Sequence, residues 1–262
     1  ARLDREGNAL SPIGKGQLAR PTGLAFDAAT GRLFVTDTRE HKVKVFDLEG
    51  KLLAAWGEFG EGPGQLNFPT HLALAGSRIY VSDTLNARIQ TFSTADGRWL
   101  GHVGRRGLYI GNLVRPKGVA VDGEGNLYVI DSTSKRLQKF DANGNFLATV
   151  DIRVSPGDTN EGSQPWGLGI APDGTVVVAD TFGWRIRTFT PDLVPTGVTF
   201  GKAPNPDPAV KPGEFDLYGP RDVAFDRQGN MWVTDGGHDR IVVYTLKGEF
   251  VRAIGGTGSG PG

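Results

Sequence analysis

The sequence predicts an all-β propeller of four-stranded antiparallel blades. Three observations carry that prediction. A pattern recurs five times along the chain, each copy shows period-2 hydrophobic alternation, and glycine and proline punctuate the short apolar runs. The aligned copies span 19–57, 68–104, 115–150, 164–201 and 219–255. Each is anchored by a proline (Pro21, Pro69, Pro116, Pro165, Pro220), at spacings of 48, 47, 49 and 55 residues.

Within a copy the elements follow in fixed order. The first apolar run is small, as in "GLAF" or "GVAV". An Asp/Gly/Asn turn such as "DGEGN" (122–126) ends it. The second run is "LFVTD", "IYVSD", "LYVID", "VVVAD" or "MWVTD" and always closes on aspartate. After a short loop comes the third run, "KVKVF", "RIQTF", "RLQKF", "RIRTF" or "RIVVY", which alternates cleanly. A second glycine turn leads to the fourth, "KLLAAW" or "NFLATV". No window of useful length has helical periodicity. A four-strand unit of this length reads as a propeller blade, which buries both faces against its neighbours. The first strand should lie near a crowded axis, which explains Gly23, Gly118 and Gly167 and the alanines Ala25, Ala73, Ala120 and Ala224.

Composition agrees and excludes some functions. The 39 glycines and 16 prolines suit short strands joined by turns. The absence of cysteine rules out disulfides, thiolate metal sites and a cysteine nucleophile. Basic and acidic residues balance at 29 each, so bulk charge points to neither nucleic acid nor a membrane surface. No apolar stretch of about 18 residues is present to span a bilayer.

The stretches "RPKGVAVDGEGNLYVIDSTSKRLQKFDANGNFL" and "NFPTHLALAGSRIYVSDTLNARIQTF" resemble NHL repeats in three elements: P-x-G-L/V-A-F/V-D, an aromatic-Val-x-Asp run, and R/K-I/V/L-x-x-F. The resemblance covers nearly the whole chain and implies a propeller of the six-bladed type. It implies less about function, because such domains include RNA binders, protein-binding scaffolds and a few lyases. It also suggests a bacterial, extracytoplasmic protein, periplasmic or extracellular.

Repetition separates frame from site. The aspartates Asp37, Asp83, Asp131, Asp180 and Asp235 recur at equivalent positions, so they read as architecture. Each should accept N–H groups of the following loop and pair with Lys42, Arg88, Arg136, Arg185 or Arg240 five residues later. A ligand site should instead break the pattern. The lead-in pairs after the anchoring prolines are Thr22-Gly23, Thr70-His71, Lys117-Gly118, Trp166-Gly167 and Arg221-Asp222. The loops between second and third strands are "TREH", "TLNA", "STSK", "TFGW" and "GGHD". The fourth and fifth copies diverge most. They bring Trp166, Phe182, Trp184, Arg221, Asp222, His238 and Asp239 to one end, beside the long loops 151–164 and 202–218. With His71 these residues form the expected binding face.

Chemistry has thinner support. His71 occupies a position where, by family resemblance, amidating lyases place zinc-binding histidines. The equivalent positions here are Gly23, Gly118, Gly167 and Asp222, which do not complete a zinc site. His71 with Asp222 could hold a weaker cation. Calcium-dependent lactonase propellers offer another enzyme reading; they need a glutamate and asparagines on inner strands facing the axis, and these Gly/Ala/Leu/Val-rich strands carry no such set. A basic set, Arg20, Arg39, Lys42, Arg115, Lys117, Lys135, Arg136 and Arg221, raises single-stranded RNA as a further class. The leading expectation is a non-enzymatic, rigid protein- or ligand-binding scaffold with no cofactor. It would bind another protein, or another domain of a longer chain. A metal-dependent lyase or hydrolase with its site at the axis is the alternative.

The expected layout is one propeller domain over 1–262. Residues 1–14 form the outer strand of an incomplete blade, since "LDREGNALSPIG" (3–14) aligns with "FDLEGKLLAAWG" (46–57). Blades follow at about 15–57, 58–104, 105–151, 152–201 and 202–255, and 256–262 forms an inter-blade linker. On that alignment the sequence reads as part of a longer protein whose sixth blade lacks its inner strands.

Overall fold

The computed structural model describes residues 2–4, 8–152, 163–203 and 211–256. Five four-stranded antiparallel sheets follow one another along the chain. The first comprises Pro21–Asp27, Arg32–Asp37, Lys42–Phe46 and Leu52–Trp56. The second comprises Pro69–Ala75, Arg78–Asp83, Arg88–Ser93 and Trp99–Val103. Pro116–Val121, Leu127–Asp131, Arg136–Phe140 and Phe146–Asp151 make the third. Pro165–Ile170, Val176–Asp180, Arg185–Phe189 and Pro195–Phe200 make the fourth. The fifth holds Pro220–Phe225, Met231–Asp235, Arg240–Tyr244 and Phe250–Gly255. In every sheet the anchoring proline pairs with the terminal aspartate of the second strand, with a register shift just after the proline.

The core is divided among the seams between blades. Phe34, Val43 and Val45 of the first blade pack with Leu72, Ile79 and Val81 of the second. Equivalent clusters fill the next three seams. First strands of successive blades lie side by side, and that closeness sets the glycines. A Cβ on Gly23 would sit 2.6 Å from the Thr70 carbonyl, and one on Gly118 would sit 2.6 Å from that of Trp166. Hydroxyls reinforce the first two seams. Thr36 and Thr38 donate to the carbonyls of Thr70 and Pro69 (2.6 Å each), and Ser82 and Thr84 to those of Lys117 and Pro116 (2.5 and 2.8 Å). The third and fourth blades put Ile130 and Ala179 in the slot of Thr36, and apolar packing replaces the hydroxyl bond.

The fifth and first blades do not pack in this way. They face each other across a cavity of about 430 Å³ bounded by Leu24, Ala224, Trp232 and Thr234. Leu24 and Phe26 are 64% and 48% exposed, and Thr234, in the slot of Thr36, is exposed too. The five blades therefore make an open stack. At the N-terminus the expected lone outer strand is a two-stranded hairpin, Arg2–Leu3 paired with Ala9–Leu10. Its turn repeats the one at Asp47. The Asp4 N–H donates to the Asn8 carbonyl and the Asn8 N–H to the Asp4 carboxylate, as Asp47 and Lys51 do. A short aspartate-capped turn folds the segment back on itself, so it pairs locally. The 256–262 linker lies outside the described residues after Gly256.

Each blade is closed by its buried aspartate. All five carboxylates are fully buried, and each accepts from the residue two before the anchoring proline. The donors are the N–H groups of Ala19 (2.9 Å), Asn67 (2.6 Å), Val114 (2.5 Å) and Tyr218 (2.7 Å), and in the fourth blade the Ser163 hydroxyl (2.9 Å). This corrects the sequence expectation, because the main donors precede the first strand. Among the described residues, only Asp131 and Asp180 also take backbone N–H groups from the loop that follows, and Asp83 takes the Asn86 side-chain amide there. The cation pairing holds for Arg88, Arg185 and Arg240, with Nε 2.8, 3.2 and 2.9 Å from the carboxylate. It fails twice. Asp37 pairs with Lys44 rather than Lys42 (2.8 Å), because Lys44 is the buried ammonium whose desolvation needs a carboxylate. Arg136 turns instead to the Leu108 carbonyl. Burial would raise the Asp37 carboxyl, yet the Lys44 bond and the N–H groups of Ala19 and Arg20 hold it below its ordinary value.

Asp131→Ala should strand four backbone N–H groups and lower stability by about 2–4 kcal/mol, on the usual cost of unsatisfied buried donors. A thermal melt matching the wild type would refute the clasp.

Candidate functional site

The candidate face is the end of the stack where chain enters each first strand. The loops joining second to third strands lie there as well, since Arg106 of one lead-in loop donates to the Leu85 carbonyl in the neighbouring blade. Each of these joining loops ends on a left-handed residue that is not glycine: His41, Ala87, Lys135, Trp184 and Asp239, with φ of 53–58°. Each such residue costs about 1–2 kcal/mol of backbone strain, which the clasped frame around it offsets.

At the mouth of the axis the slot after the anchoring proline changes from blade to blade: Thr22, Thr70, Lys117, Trp166, Arg221. The last three meet. Lys117 Nζ sits 4.0 Å from the centroid of the Trp166 ring, and Arg221 Cζ stacks on the same ring at 5.5 Å. Phe182 meets the edge of Trp166 at 6.1 Å, and Arg20 lies over Phe68 at 5.3 Å. No carboxylate pairs with Lys117, Arg221, Arg20 or Arg115 among the described residues. Burial pushes the Lys117 ammonium below its ordinary value, and the charges of Arg115, Arg20 and Arg221 push it further. Among the described residues the mouth is thus a cationic cluster without counter-ions, built around an indole.

The expected site residues divide between this cluster and the frame. Trp166, Phe182 and Arg221 come together. Trp184 makes no ring contact with Trp166 or Phe182 among the described residues; it occupies the left-handed corner of its loop. His238 serves the clasp, its Nδ1 2.8 Å from the Asp235 carboxylate and its ring against Tyr218. Asp239 is exposed at its own loop corner. His71 and Asp222 are not brought into contact. The Nδ1 of His71 is sealed from water with no partner. Burial, reinforced by the Lys117 charge, pushes the His71 pKa down to about 4. Burial pushes the Asp222 carboxyl up to about 6, against the Val223 N–H it accepts. A cation shared by His71 and Asp222 would therefore sit beside an ammonium, and among the described residues no three His, Asp or Glu side chains converge. Residues 153–162 and 204–210 of the long loops lie outside the described residues. The expected set omitted Lys117. Its signal was available, since it holds the same slot as Trp166 one blade earlier.

Asp222→Asn should remove a charge the fold resists. The folded pKa of about 6 exceeds the unfolded 3.8, so the penalty is absent below pH 3.8 and complete above about pH 6. Melting curves should coincide near pH 3.8 and favour the variant above pH 6. A variant less stable at neutral pH would refute the assignment.

The comparisons with known proteins agree with this architecture. A family described as a 6-bladed beta-propeller matches residues 66–164, and the NHL repeat family matches 18–46. The chain is 32% identical to Protein brain tumor of Drosophila melanogaster over 136 residues, covering 51% of this chain and 12% of that protein. It is 28% identical to peptidyl-glycine alpha-amidating monooxygenase B of Xenopus laevis, covering 66% of this chain and 20% of the relative. It is 24% identical to the human E3 ubiquitin-protein ligase NHLRC1, covering 90% and 58%. The chain thus spans less than two thirds of each of these relatives. Among solved structures, a streptogramin B lyase superposes with TM-score 0.64 at 18% identity, covering 97% of this chain and 72% of that one. The nidogen/laminin complex gives 0.63 at 20%, covering 90% and 80%. These identities carry the fold alone. Repeat pattern, blade geometry and family matches converge: the chain is a β-propeller of four-stranded blades, with a match to the NHL repeat family in its first blade.

Proposed function

We propose that this propeller is a non-enzymatic, rigid binding scaffold that takes an acidic segment of a protein partner at the mouth of its axis. The observation that carries the reading is the cluster of Lys117 and Arg221 on Trp166, with Arg20 and Arg115 nearby and, among the described residues, no carboxylate paired to any of the four. Lys117 is half-buried while Arg20, Arg115 and Arg221 are exposed; like charges gathered in this way favour an anion, because the anion relieves their mutual repulsion. An indole with arginine beside it is also a favoured interface anchor. Relatives such as NHLRC1, a ubiquitin-protein ligase, are of a class that acts on proteins, which fits a protein-binding role.

A second reading has one observation in its favour. Cations interleaved with Trp166, Phe182 and Phe68 suit the stacking of single-stranded RNA. The enzymatic alternative, a metal-dependent lyase or hydrolase at the axis, gains less support. His71 and Asp222 stand apart, and the ammonium beside His71 opposes a metal cation.

Fluorescence anisotropy with a labelled oligo-glutamate peptide and with oligo-uridine separates these readings. The peptide should bind, and Lys117→Glu with Arg221→Glu should weaken it by about tenfold or more at unchanged melting temperature. No peptide binding by the wild type would sink the proposal. Salt-sensitive retention of oligo-uridine alone would transfer it to RNA.

A further inference from the structure

The lead-in loops of the second and third blades share one backbone and carry opposite chemistry. In the second-blade loop, Phe59 bridges to Leu66 in parallel, and the Leu66 N–H donates to the Glu58 carbonyl (2.8 Å). The Gly64 N–H donates to the Gln90 side chain (3.0 Å). The third-blade loop repeats every link: Arg106 with Leu113, Leu113 N–H to the Arg105 carbonyl (2.8 Å), and Gly111 N–H to Gln138 (2.7 Å). At the tip the second blade has Glu61, Gly62 and Pro63. The third has Leu108, Tyr109 and Ile110, which are 71%, 82% and 59% exposed. The fold therefore does not require three apolar side chains there, and exposing them to water is unfavourable.

Their surroundings give the chemistry. Arg105 and Arg106, both exposed, stand at the base of the tip, where the second blade has Glu58 and Phe59. Two backbone acceptors at the tip already have partners. The Leu108 carbonyl takes the Arg136 guanidinium, and that of Tyr109 takes the Asn112 N–H. Neither carbonyl would be stranded on leaving water. Phe59 adds a further exposed aromatic ring on the adjacent loop of the same face.

We infer that the Leu108-Tyr109-Ile110 tip is an interfacial anchor that inserts into an anionic lipid surface, with Arg105 and Arg106 at headgroup level. A convex apolar tip bearing a tyrosine above a cationic base is the arrangement a peripheral protein presents to a charged bilayer. This contact is peripheral, since no described helix is long and apolar enough to cross a membrane.

The test is co-sedimentation with vesicles of phosphatidylcholine and phosphatidylglycerol, beside vesicles of phosphatidylcholine alone. Wild type should pellet with the anionic vesicles. The triple variant Leu108→Glu, Tyr109→Gly, Ile110→Pro installs the second-blade sequence on a backbone that already accepts it. It should melt as wild type does and lose about tenfold or more of the bound fraction. Arg105→Glu with Arg106→Glu, which leaves the apolar tip intact, should lose binding to the anionic vesicles in the same way. Wild type remaining in the supernatant, or both variants pelleting as wild type does, would overturn the inference. If wild type ignores vesicles while the triple variant loses a protein partner, the tip is a protein-docking element and the lipid assignment falls.

Discussion

The structure depends on one repeated interaction, a buried carboxylate at the end of each second strand that reaches back to the chain entering the first. A propeller blade has a weak point where the first strand begins. The chain arrives there from the outer strand of the previous blade and must turn sharply toward the axis. Asp37, Asp83, Asp131, Asp180 and Asp235 fix that turn, each accepting from the residue two before the anchoring proline. Such a carboxylate is costly to bury, and it persists because N–H groups, joined by a cation at Asp37, Asp83, Asp180 and Asp235, satisfy its oxygens. Where the cation differs, as with Lys44 at Asp37, or turns away, as Arg136 does at Asp131, the donors before the first strand remain. The tie to the lead-in chain is thus the constant part and the ion pair the variable one.

The clasp also explains why this face can bear function. It anchors the lead-in segment from behind, so side chains in front of it are free to vary. The slot after the proline runs through threonine, lysine, tryptophan and arginine without disturbing the blade. Three of these, from successive blades, converge on one indole at the axis. The same freedom reaches the lead-in loops, where one backbone carries Glu61-Gly62-Pro63 in one blade and Leu108-Tyr109-Ile110 in the next. His238 shows the converse. Its imidazole is drawn onto the Asp235 carboxylate, and a residue that looks like a ligand group from its loop belongs to the frame.

The frame was largely legible in the sequence. Strand order, blade count and the role of small first-strand residues follow from spacing and alternation, because a period-2 pattern with fixed turns has few ways to fold. The aspartates were legible as architecture, but their partners were misplaced. A carboxylate at a strand end has N–H groups near in sequence on one side and near in space on the other, and only the fold ranks them. Lys42 and Lys44 show the same limit: both lie on one strand, and burial chose between them. At the N-terminus Asp4 makes the same turn as Asp47, but pairing across that turn was a tertiary matter.

The sequence by itself determined the repeat, the strands and the positions free to vary, because these are set locally by side-chain alternation and turn chemistry. Only the tertiary structure decided which of the free positions meet. Lys117, Trp166 and Arg221 are about fifty residues apart along the chain, and no local pattern relates them. The stacking of first strands around the axis brings them within contact of one ring. It leaves His71 and Asp222, an apparent pair in the sequence, apart, and it leaves the faces of the first and fifth blades open to each other across an apolar cavity. Convergence at an axis depends on how each blade rotates against the next. That rotation is fixed by the seams, where hydroxyl bonds, close-packed glycines and apolar clusters act between residues far apart in sequence.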